Sequence, residues 1–332
     1  MPRKSPAPTA TRLQNNNTKP ALQTKKAGFC LTTREMLEFT PITIDAAGQL
    51  EDFARQSLTQ SCDYTPGNLV MWAEYMHYEY AVESDTLFIR SLSELDLATP
   101  AFLPPIGSLP LKESIALLQE YCHHNNTPLH ITAVPEDMAH EMATLLPSHN
   151  VKELDGWADY IHSAEDIATL QGKALNKRRN RKKKFLADYP HYTYKRCTTD
   201  DIPAVVEFLL GKGCDEAIMR CYEVHQSIAT VRNLPIYPQP AGIIKIDDKV
   251  VAFTLGEAWG DMLYIHIEKA DREYAGLGET LTSEFAADII NEMPQITLIN
   301  REEDLGNEGL RQAKRAYNPI EMLNRYEFTP AK

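Results

Sequence analysis

Long apolar runs are missing from this 332-residue sequence, and none approaches the roughly 18 residues that a membrane-spanning helix needs. The segment 1–36 also lacks the apolar core of a secretory signal. Cysteine is scarce: the six residues are scattered without a CxxC pair, and the histidines show no HExxH spacing. These absences predict reduced, mostly buried thiols and no metal site. We therefore expect a cytoplasmic protein, free or peripheral to the membrane, that requires no cofactor.

The charge balance is acidic, with 46 Asp and Glu against 34 Lys and Arg and a net charge of -12. Such a balance argues against a protein that coats nucleic acid with its whole surface. The segment 1–36 differs, because it is basic and rich in Pro, Ser, Thr and Asn. It offers little to bury, so we predict a disordered basic tail. A Ser-His-Asp constellation and a nucleophile elbow are also absent.

Beyond the tail, one order of elements occurs twice. "FTPITIDAAGQLEDFARQSL" and "YTYKRCTTDDIPAVVEFLL" each indicate a short strand and a capped amphipathic helix, with Asp45 capping the first and Thr199 or Asp200 the second. An antiparallel meander, a helix, a strand, a helix and a strand follow in both. That order predicts an α+β mixed sheet rather than a doubly wound one, and it is the order of the GNAT acyltransferase fold. We predict tandem duplicated GNAT-like units at 37–165 and 166–332.

The clearest local patterns predict individual helices and turns. Amphipathic spacing and turn residues indicate hairpin turns at Ser84-Asp85 and Asp247-Asp248. The same reasoning predicts helices at Leu111–His123, Glu136–Leu146, Leu277–Glu292 and Asn307–Ala316.

A glycine pair precedes one of these helices. Gly276 and Gly278 stand where GNAT enzymes bind the pyrophosphate of coenzyme A, because glycine lets backbone N–H groups approach an anion at a helix N-terminus. Glu273 occupies the position that is usually Gln or Arg, which disfavours coenzyme A. The alternative is a turn that only caps the helix. The first unit has no such loop, so we predict that it is non-catalytic.

A basic helix is predicted over 173–185, where eight cations occur without an acid. Like charges at this density repel unless an anion offsets them, which favours phosphates of tRNA or of another donor. The alternative is a solvated linker helix. The residues expected to hold donor phosphates are Lys173, Arg178, Arg179 and Lys182, together with Gly276 and Gly278.

The candidate catalytic residues lie on one predicted strand and beyond the end of another. Arg301 and Glu302 come directly after "QITLIN", and ligands gather beyond the carboxyl ends of such strands. Glu302 is the candidate general base. His266 and Glu268 alternate on "DMLYIHIEKA" and so share a face, and Tyr317 is a candidate proton donor. The alternatives are acids that complement a helix dipole, a satisfied core histidine and a packing tyrosine.

Several motifs in the second half resemble the phosphatidylglycerol lysyltransferase C-terminal domain family, in its soluble stand-alone branch. They are "YIHSAEDIATLQGKALNKRRNRKKKF", "HIEKADREYAGLGETLTSEFA" and "INREEDLGNEGLRQAKRAYNP…LNRYEF". The resemblance implies a double GNAT fold like that of the Fem ligases. It also implies an aminoacyl group taken from tRNA and given to a lipid headgroup or a cell-wall peptide. "AKRAYNPIEMLNRYEF" matches the segment that closes the family's active site at Lys314, Tyr317, Pro319, Arg325 and Tyr326.

We therefore expect a transferase that moves an aminoacyl group, with aminoacyl-tRNA as donor and an amine or hydroxyl as acceptor. Lys314 joins the residues that contact the donor. One alternative is an N-acyltransferase that uses acyl-CoA. The other is a non-catalytic module that binds tRNA or phosphate.

Overall fold

Two mixed β-sheets form the framework of the residues that the computed structural model describes, namely 36–57, 59–92, 99–211 and 218–331. Apart from Met36, the predicted tail lies outside these residues, so its disorder stays a prediction. The strands are β1 (Thr40–Pro41), β2 (Glu79–Glu83), β3 (Thr86–Leu92), β4 (Pro100–Phe102), β5 (Ile106–Gly107), β6 (Ile131–Pro135), β7 (His149–Glu153), β8 (Asp159–Ser163), β9 (Thr193–Arg196), β10 (Ala241–Ile246), β11 (Lys249–Trp259), β12 (Met262–Ala270), β13 (Leu298–Asn300), β14 (Glu321–Leu323) and β15 (Arg325–Pro330).

The helices cover the faces of these sheets. Among the described helices, none has the length and apolarity that a bilayer crossing requires. Their bounds are α1 (Ala47–Ala54), α2 (Pro66–Met76), α3 (Leu111–His124), α4 (Glu136–Leu145), α5 (Ala164–Thr169), α6 (Asn176–Asp188), α7 (Ile202–Leu210), α8 (Ile218–Asn233), α9 (Leu277–Glu292) and α10 (Glu308–Arg315).

Helix starts depart slightly from the predicted caps. The turn before α7 begins at Thr198, which forms a capping box with Asp201, so the prediction of Thr199 or Asp200 was wrong by one or two residues. Asp45 lies inside a 3-10 turn that starts after Thr43, and it is not a cap. In both cases the threonine adopts the extended backbone that an N-cap requires, one or two residues earlier than predicted.

The order of strands is the same in both sheets. The first sheet runs β1-β2-β3-β4-β6-β15-β7, with β5 pairing β3, and the second runs β9-β10-β11-β12-β13-β8-β14. In each, an antiparallel meander is joined to a parallel strand through a helical crossover, between β4 and β6 and between β12 and β13. This repeated order confirms the α+β mixed sheet and the tandem GNAT-like fold.

The sheets exchange one strand. β15, from the end of the sequence, lies between β6 and β7 of the first sheet, and β8 lies between β13 and β14 of the second. Both exchanged strands are part of a core, since Phe328 of β15 packs with Phe102 and Ile131, and Ile161 of β8 packs with Met262. β8 precedes residue 165, where we predicted that the first unit ends, yet it pairs with strands of the second sheet. The position of the division between the units stays a prediction.

A gap opens between two neighbouring strands of the second sheet. β12 and β13 pair in parallel from Met262 to Tyr264, opposite Leu298 to Asn300, and β12 then continues to Ala270 while β13 ends. We call the opening beyond these pairs the strand gap. The first residues after β13 are Arg301 and Glu302, so their side chains enter the gap from one side.

Candidate active site

Two polar pairs bridge the strand gap. His266 Nδ1 lies 2.6 Å from Glu302 Oε1, and Arg301 Nη2 donates to Glu268 Oε1 at 2.9 Å. His266 and Glu268 belong to β12, and the other two residues follow β13. Within the described residues, side chains rather than a backbone ladder therefore connect the two strands here.

A β-bulge directs His266 toward its partners. The pairing of β11 with β12 shifts between Leu255 and Gly256, so that His266 is the extra residue of the bulge. A side chain on Gly256 would place its Cβ 2.0 Å from the carbonyl oxygen of Tyr264, so only glycine fits the close approach of the two strands. Bulges of this kind re-aim a side chain next to functional sites.

Glu302 has an unusual backbone. Its φ is 57°, in the left-handed region that non-glycine residues rarely adopt. Asn300 Oδ1 accepts a hydrogen bond from the backbone N–H of Glu302 at 2.7 Å, which holds this turn in place. The Glu302 side chain is 14% exposed, so one carboxylate oxygen meets His266 while the side chain still reaches the surface.

His266 is part of a longer hydrogen-bonded chain. Its Nε2 lies 2.9 Å from Glu257 Oε2, and Glu257 in turn accepts hydrogen bonds from Tyr237 Oη at 2.7 Å and the Gly67 N–H at 2.9 Å. Burial opposes the charged imidazolium, but the hydrogen bonds to Glu257 and Glu302 outweigh it and raise the pKa of His266 to about 10. The imidazolium is therefore charged at neutral pH, and both of its N–H groups donate to carboxyl groups.

Arg301 is held on its other side by an aromatic ring. Its Cζ lies 4.5 Å from the ring centroid of Tyr317, and Arg178 of α6 lies 5.6 Å from the same centroid. Such cation–π contacts are favourable when the groups are desolvated. Burial raises the pKa of Tyr317 to about 12, although Arg301 opposes the rise, so the phenol keeps its proton at neutral pH.

A buried ionic cluster lies beside the gap, and we call it the central cluster. Arg325 of β15 is 1% exposed, and its guanidinium lies 2.6 Å from Asp159 Oδ1 and 3.0 Å from Asp63 Oδ2. Asp159 also accepts from the Cys62 N–H at 3.0 Å and from Asn300 Nδ2 at 2.8 Å. The cluster thus joins both sheets through β8 and β15.

Glu303 connects the central cluster to the gap. Its Oε2 is 3.8 Å from Arg325 Nη1 and 3.7 Å from Cys62 Sγ, while its backbone oxygen accepts from Lys314 Nζ. Burial raises the pKa of Glu303 to about 7, because it exceeds the opposing effect of Arg325. Burial also disfavours the charged form of Lys314, and for an ammonium group this lowers the pKa. A carboxyl group that titrates near neutrality therefore adjoins Glu302.

Cys62, Asp159 and Glu303 are residue types that bind metals, and their ligand atoms lie within 4.8 Å of one another. However, the guanidinium of Arg325 already lies among them and forms its shortest ion pair with Asp159. A divalent cation there would meet a fixed positive charge, so these residues fit a metal ion poorly.

These groups suit acyl transfer without a protein-bound metal. A carboxylate at the gap can accept a proton, and a buried guanidinium can stabilise negative charge that develops on a carbonyl oxygen. The low exposure of Arg301, at 9%, strengthens that electrostatic effect.

Comparison with known proteins identifies the family of this chain. The profile described as "Phosphatidylglycerol lysyltransferase, C-terminal" matches residues 54–328. The chain belongs to the phosphatidylglycerol lysyltransferase C-terminal family. No curated protein sequence matches it.

Solved structures extend the family assignment. A conserved protein of unknown function from Bacteroides thetaiotaomicron is 30% identical with a TM-score of 0.82, over 89% of this chain and 100% of that one. The C-terminal domain of a putative lysylphosphatidylglycerol synthetase from Agrobacterium fabrum is 11% identical with a TM-score of 0.60, over 86% of this chain and 91% of that one. L-PGS from Bacillus licheniformis is 13% identical with a TM-score of 0.55, over 85% and 91%. The last two likenesses show a shared fold.

In this member of the phosphatidylglycerol lysyltransferase family, the predicted catalytic residues lie together. Each of the five predicted catalytic residues borders the strand gap or contacts a residue that does. Lys314, which was predicted to contact the donor, lies beside Glu303. Their catalytic roles stay predictions. The five are His266, Glu268, Arg301, Glu302 and Tyr317.

The predicted donor-binding residues are more widely spread. Arg178 pairs with Glu279 at 2.7 Å and Lys182 with Glu284 at 2.8 Å, so α6 packs on α9 through its own cations. Arg179 donates to the backbone oxygen of Leu170 at 2.8 Å, and Lys173 is exposed.

The glycine turn packs against α6. A Cβ on Gly276, whose φ is 92°, would lie 2.2 Å from the Arg181 carbonyl oxygen, so glycine is required there by a protein contact. Gly278 has room, with Ala270 Cβ 4.0 Å from a built Cβ. Phosphate binding at either glycine stays a prediction.

Sequence reasoning missed two parts of the site. Glu257 lies within the mostly apolar strand "KVVAFTLGEAW". A charged side chain in such a strand was the feature that could have identified it as a site residue. Asp63 and Asp159 lie in segments without a motif, and only their burial beside Arg325 identifies them. Arg325 had been singled out through the family resemblance alone.

Proposed function

We propose that this protein transfers an aminoacyl group from aminoacyl-tRNA to an amine or hydroxyl acceptor, such as a lipid headgroup or a cell-wall peptide. The observation that carries the proposal is the pairing of Glu302 with His266 across the strand gap at 2.6 Å. Arg301 pairs across the same opening and Tyr317 contacts Arg301, so a carboxylate, a buried guanidinium and a protonated phenol lie close together. Membership of a family named for lysyl transfer supports the same class of reaction.

The proposed reaction uses these groups in one exchange. The attacking amine or hydroxyl gives its proton to Glu302 and forms a bond to the acyl carbonyl carbon. Arg301 stabilises the negative charge on the carbonyl oxygen. The ester C–O bond then breaks, and the leaving 3′-oxygen of the tRNA takes a proton from Tyr317 and becomes a hydroxyl. Tyr317 recovers a proton from Glu302, so the net step moves one proton from acceptor to leaving group.

We propose that α6 contacts the RNA. Its run of cations contrasts with the acidic balance of the whole sequence, and Lys177, Lys183 and Lys184 are exposed to solvent. Arg178 lies at the Tyr317 ring and so connects this basic surface with the gap. The donor phosphates would then lie along Lys173, Arg178, Arg179 and Lys182.

The first sheet has a supporting part in this proposal. In this sheet the parallel strands β4 and β6 are followed by Leu103 and Glu136, respectively. We propose that the first unit is non-catalytic. It nevertheless supplies Cys62, Asp63 and Gly67, whose contacts hold Asp159, Arg325 and Glu257.

The test is transfer of label from RNA. The full chain is incubated with bulk tRNA charged with radiolabelled amino acids, and with anionic phospholipid vesicles or cell-wall precursor peptides as acceptors. We expect label in a lipid-soluble or peptide product, and Glu302→Gln to lower the initial rate by about 100-fold or more.

The matched control is Glu308→Gln, which changes an exposed acid on the neighbouring helix and is expected to leave the rate unchanged. Salt-dependent tRNA binding without transfer would support the binding module instead. Transfer from acetyl-CoA, with none from tRNA, would support the N-acyltransferase.

A further inference from the structure

A cavity lies between α2, α8 and one end of the first sheet. Its volume is about 750 Å³, and none of its lining residues belongs to the strand gap or to the central cluster. Pockets that hold small molecules have volumes of about 300–1,000 Å³. We call this space the α2–α8 cavity, and its volume is that of a site for a small molecule.

The wall of the α2–α8 cavity is largely apolar. Ile42 and Met71 of the wall are buried, whereas Ile44, Val70 and Leu92 are half-buried. Apolar surface beside such a space contributes free energy when a ligand covers it, in proportion to the area removed from water. The wall therefore favours a ligand with an apolar body.

One pair of charges in the lining is already compensated. Glu79 and Arg90 lie opposite each other in β2 and β3 and form a salt bridge. Arg90 also lies over the ring of Phe39, with its Cζ 4.8 Å from the ring centroid. These two charges therefore require no opposite charge from a ligand.

Glu74, at the rim of the cavity, differs from this pair. Its Oε2 accepts a hydrogen bond from Gln226 Nε2 at 3.0 Å, which joins α2 to α8, but the ion pairs among the described residues do not include it. Glu74 is exposed, so its carboxylate borders both the cavity and the solvent. With His77 of the lining uncharged, two acids stand against one arginine, and the lining has one uncompensated negative charge.

We propose that the α2–α8 cavity binds an amphiphile that carries a primary ammonium at the end of an alkyl chain. The chain packs on the apolar wall, and the ammonium donates to Glu74 at the rim, where water still solvates it. Such a ligand supplies one positive charge for the one uncompensated carboxylate and apolar surface for the wall. The site goes beyond the proposed function, and it involves binding alone, without a chemical step.

Charge and chain length together distinguish this ligand from its analogues. A fatty acid of the same length would place its carboxylate beside Glu74, where like charges repel. A fatty alcohol fits the wall but leaves Glu74 uncompensated. A short amine has the charge but covers little of the wall.

The test uses octylamine as the probe and the full chain, with binding followed by calorimetry. Octanol, octanoate and butylamine are the comparison probes. We expect octanol and octanoate to bind about 10-fold or more weakly than octylamine, because they lack the ammonium. Each methylene removed between octylamine and butylamine should weaken binding by about 2- to 4-fold.

A charge variant separates the rim carboxylate from general attraction of cations, since the chain has a net charge of -12. Glu74→Gln keeps the shape of the side chain and should weaken octylamine binding by about 10-fold while leaving octanol binding unchanged. Glu74→Lys should reverse the preference, so that octanoate binds more tightly than octylamine. Glu141→Gln is the matched control, because it removes an exposed acid on α4, and it should bind octylamine as the wild type does.

A volume variant tests the wall. Ala229 lines the cavity from an exposed position on α8, so Ala229→Trp should fill part of the space without unfolding the chain. It is expected to weaken binding of octylamine and of octanol alike, by about 10-fold or more. Ala116→Trp, at an exposed position on α3, is the matched control and should change neither. Thermal unfolding of each variant verifies that it is folded.

The outcomes decide for or against the site. Octylamine binding that weakens in both Glu74→Gln and Ala229→Trp, but in neither control, would support it. Equal binding of octylamine and octanoate, equal losses in Glu74→Gln and Glu141→Gln, or no binding of octylamine would each reject it. Because the cavity and the strand gap share no residue, the transfer assay tests the proposed function separately.

Discussion

The backbone N–H of Gly67 donates to Glu257 Oε2 at 2.9 Å, and through this bond the N-terminus of α2 supports a chain of side chains that ends at Glu302. Gly67 precedes most strands of the first sheet, whereas Glu257 belongs to the second. A helix N-terminus presents free N–H groups and a partial positive charge, both of which favour a carboxylate. The first half of the chain thereby contributes to a site that it does not itself contain.

Gly67→Ala should disturb this contact. A Cβ at Gly67 would lie 2.6 Å from Glu257 Oε2 and 2.8 Å from Gln239 Nε2, and Glu257 is held by three hydrogen bonds. We expect a loss of about 1–3 kcal/mol in the free energy of unfolding, measured with denaturant. Gly48→Ala is the control, because nothing lies within 4 Å of its Cβ, and it should stabilise α1 by about 0.5–1 kcal/mol. Equal stability of the two variants would contradict the expectation.

His266 should make stability depend on pH. Its pKa rises from 6.5 to about 10 on folding, so the charged form favours the folded chain. This contribution is complete below pH 6.5 and is lost as the pH rises through 10, by at most about 1.4 kcal/mol per pH unit. The difference in unfolding free energy between wild type and His266→Gln should therefore shrink over that range. A difference that stays constant with pH would show that His266 is neutral in the folded chain.

Arg325→Met should be strongly destabilising. Removal of the guanidinium leaves Asp159 and Asp63 buried without their positive partner, which costs about 3–5 kcal/mol in such pairs. Arg55→Met is the control, since its pair with Glu51 is exposed and is worth at most about 1 kcal/mol. Adding Asp159→Asn to Arg325→Met should recover part of the loss. If the double variant is no more stable than Arg325→Met, the charge of Asp159 is not what makes the loss large.

The exposed lysines of α6 should govern binding of tRNA. Replacing Lys177, Lys183 and Lys184 with Gln should weaken binding and lower the slope of log affinity against log salt by about 0.7–0.9 for each phosphate that the variant no longer neutralises. Lys249→Gln removes one exposed charge at the start of β11 and should leave the slope unchanged. Filter binding at several salt concentrations measures both, and an unaltered slope in the triple variant would exclude α6 as the RNA-binding surface.

Local patterns predicted much of the fold. The helix predicted at Leu277–Glu292 has those bounds. Both hairpin turns occur at the predicted residues, and Ser84, Asp85, Asp247 and Asp248 all have positive φ. These features depend on spacing and turn chemistry within a few residues, which a single sequence contains. For the same reason the repeated order of elements was visible.

Long-range pairing was beyond the sequence patterns. Nothing local in β8 or β15 indicates that each pairs in the sheet of the other half. The Arg325–Asp159 pair joins residues 166 positions apart, and its strength depends on burial that only the folded chain creates. His266 and Glu268 were singled out because they alternate on a strand. The β-bulge that directs His266 toward its partners depends on the close approach of Gly256 to β12, which the alternation does not reveal.

The exchange of β8 and β15 has a consequence for synthesis on the ribosome. β6 and β7 are made before the strand that lies between them, residues 325–330, so the first sheet stays incomplete until those residues have emerged. Until then the nascent chain exposes unpaired strand edges, which is the condition in which chaperones bind.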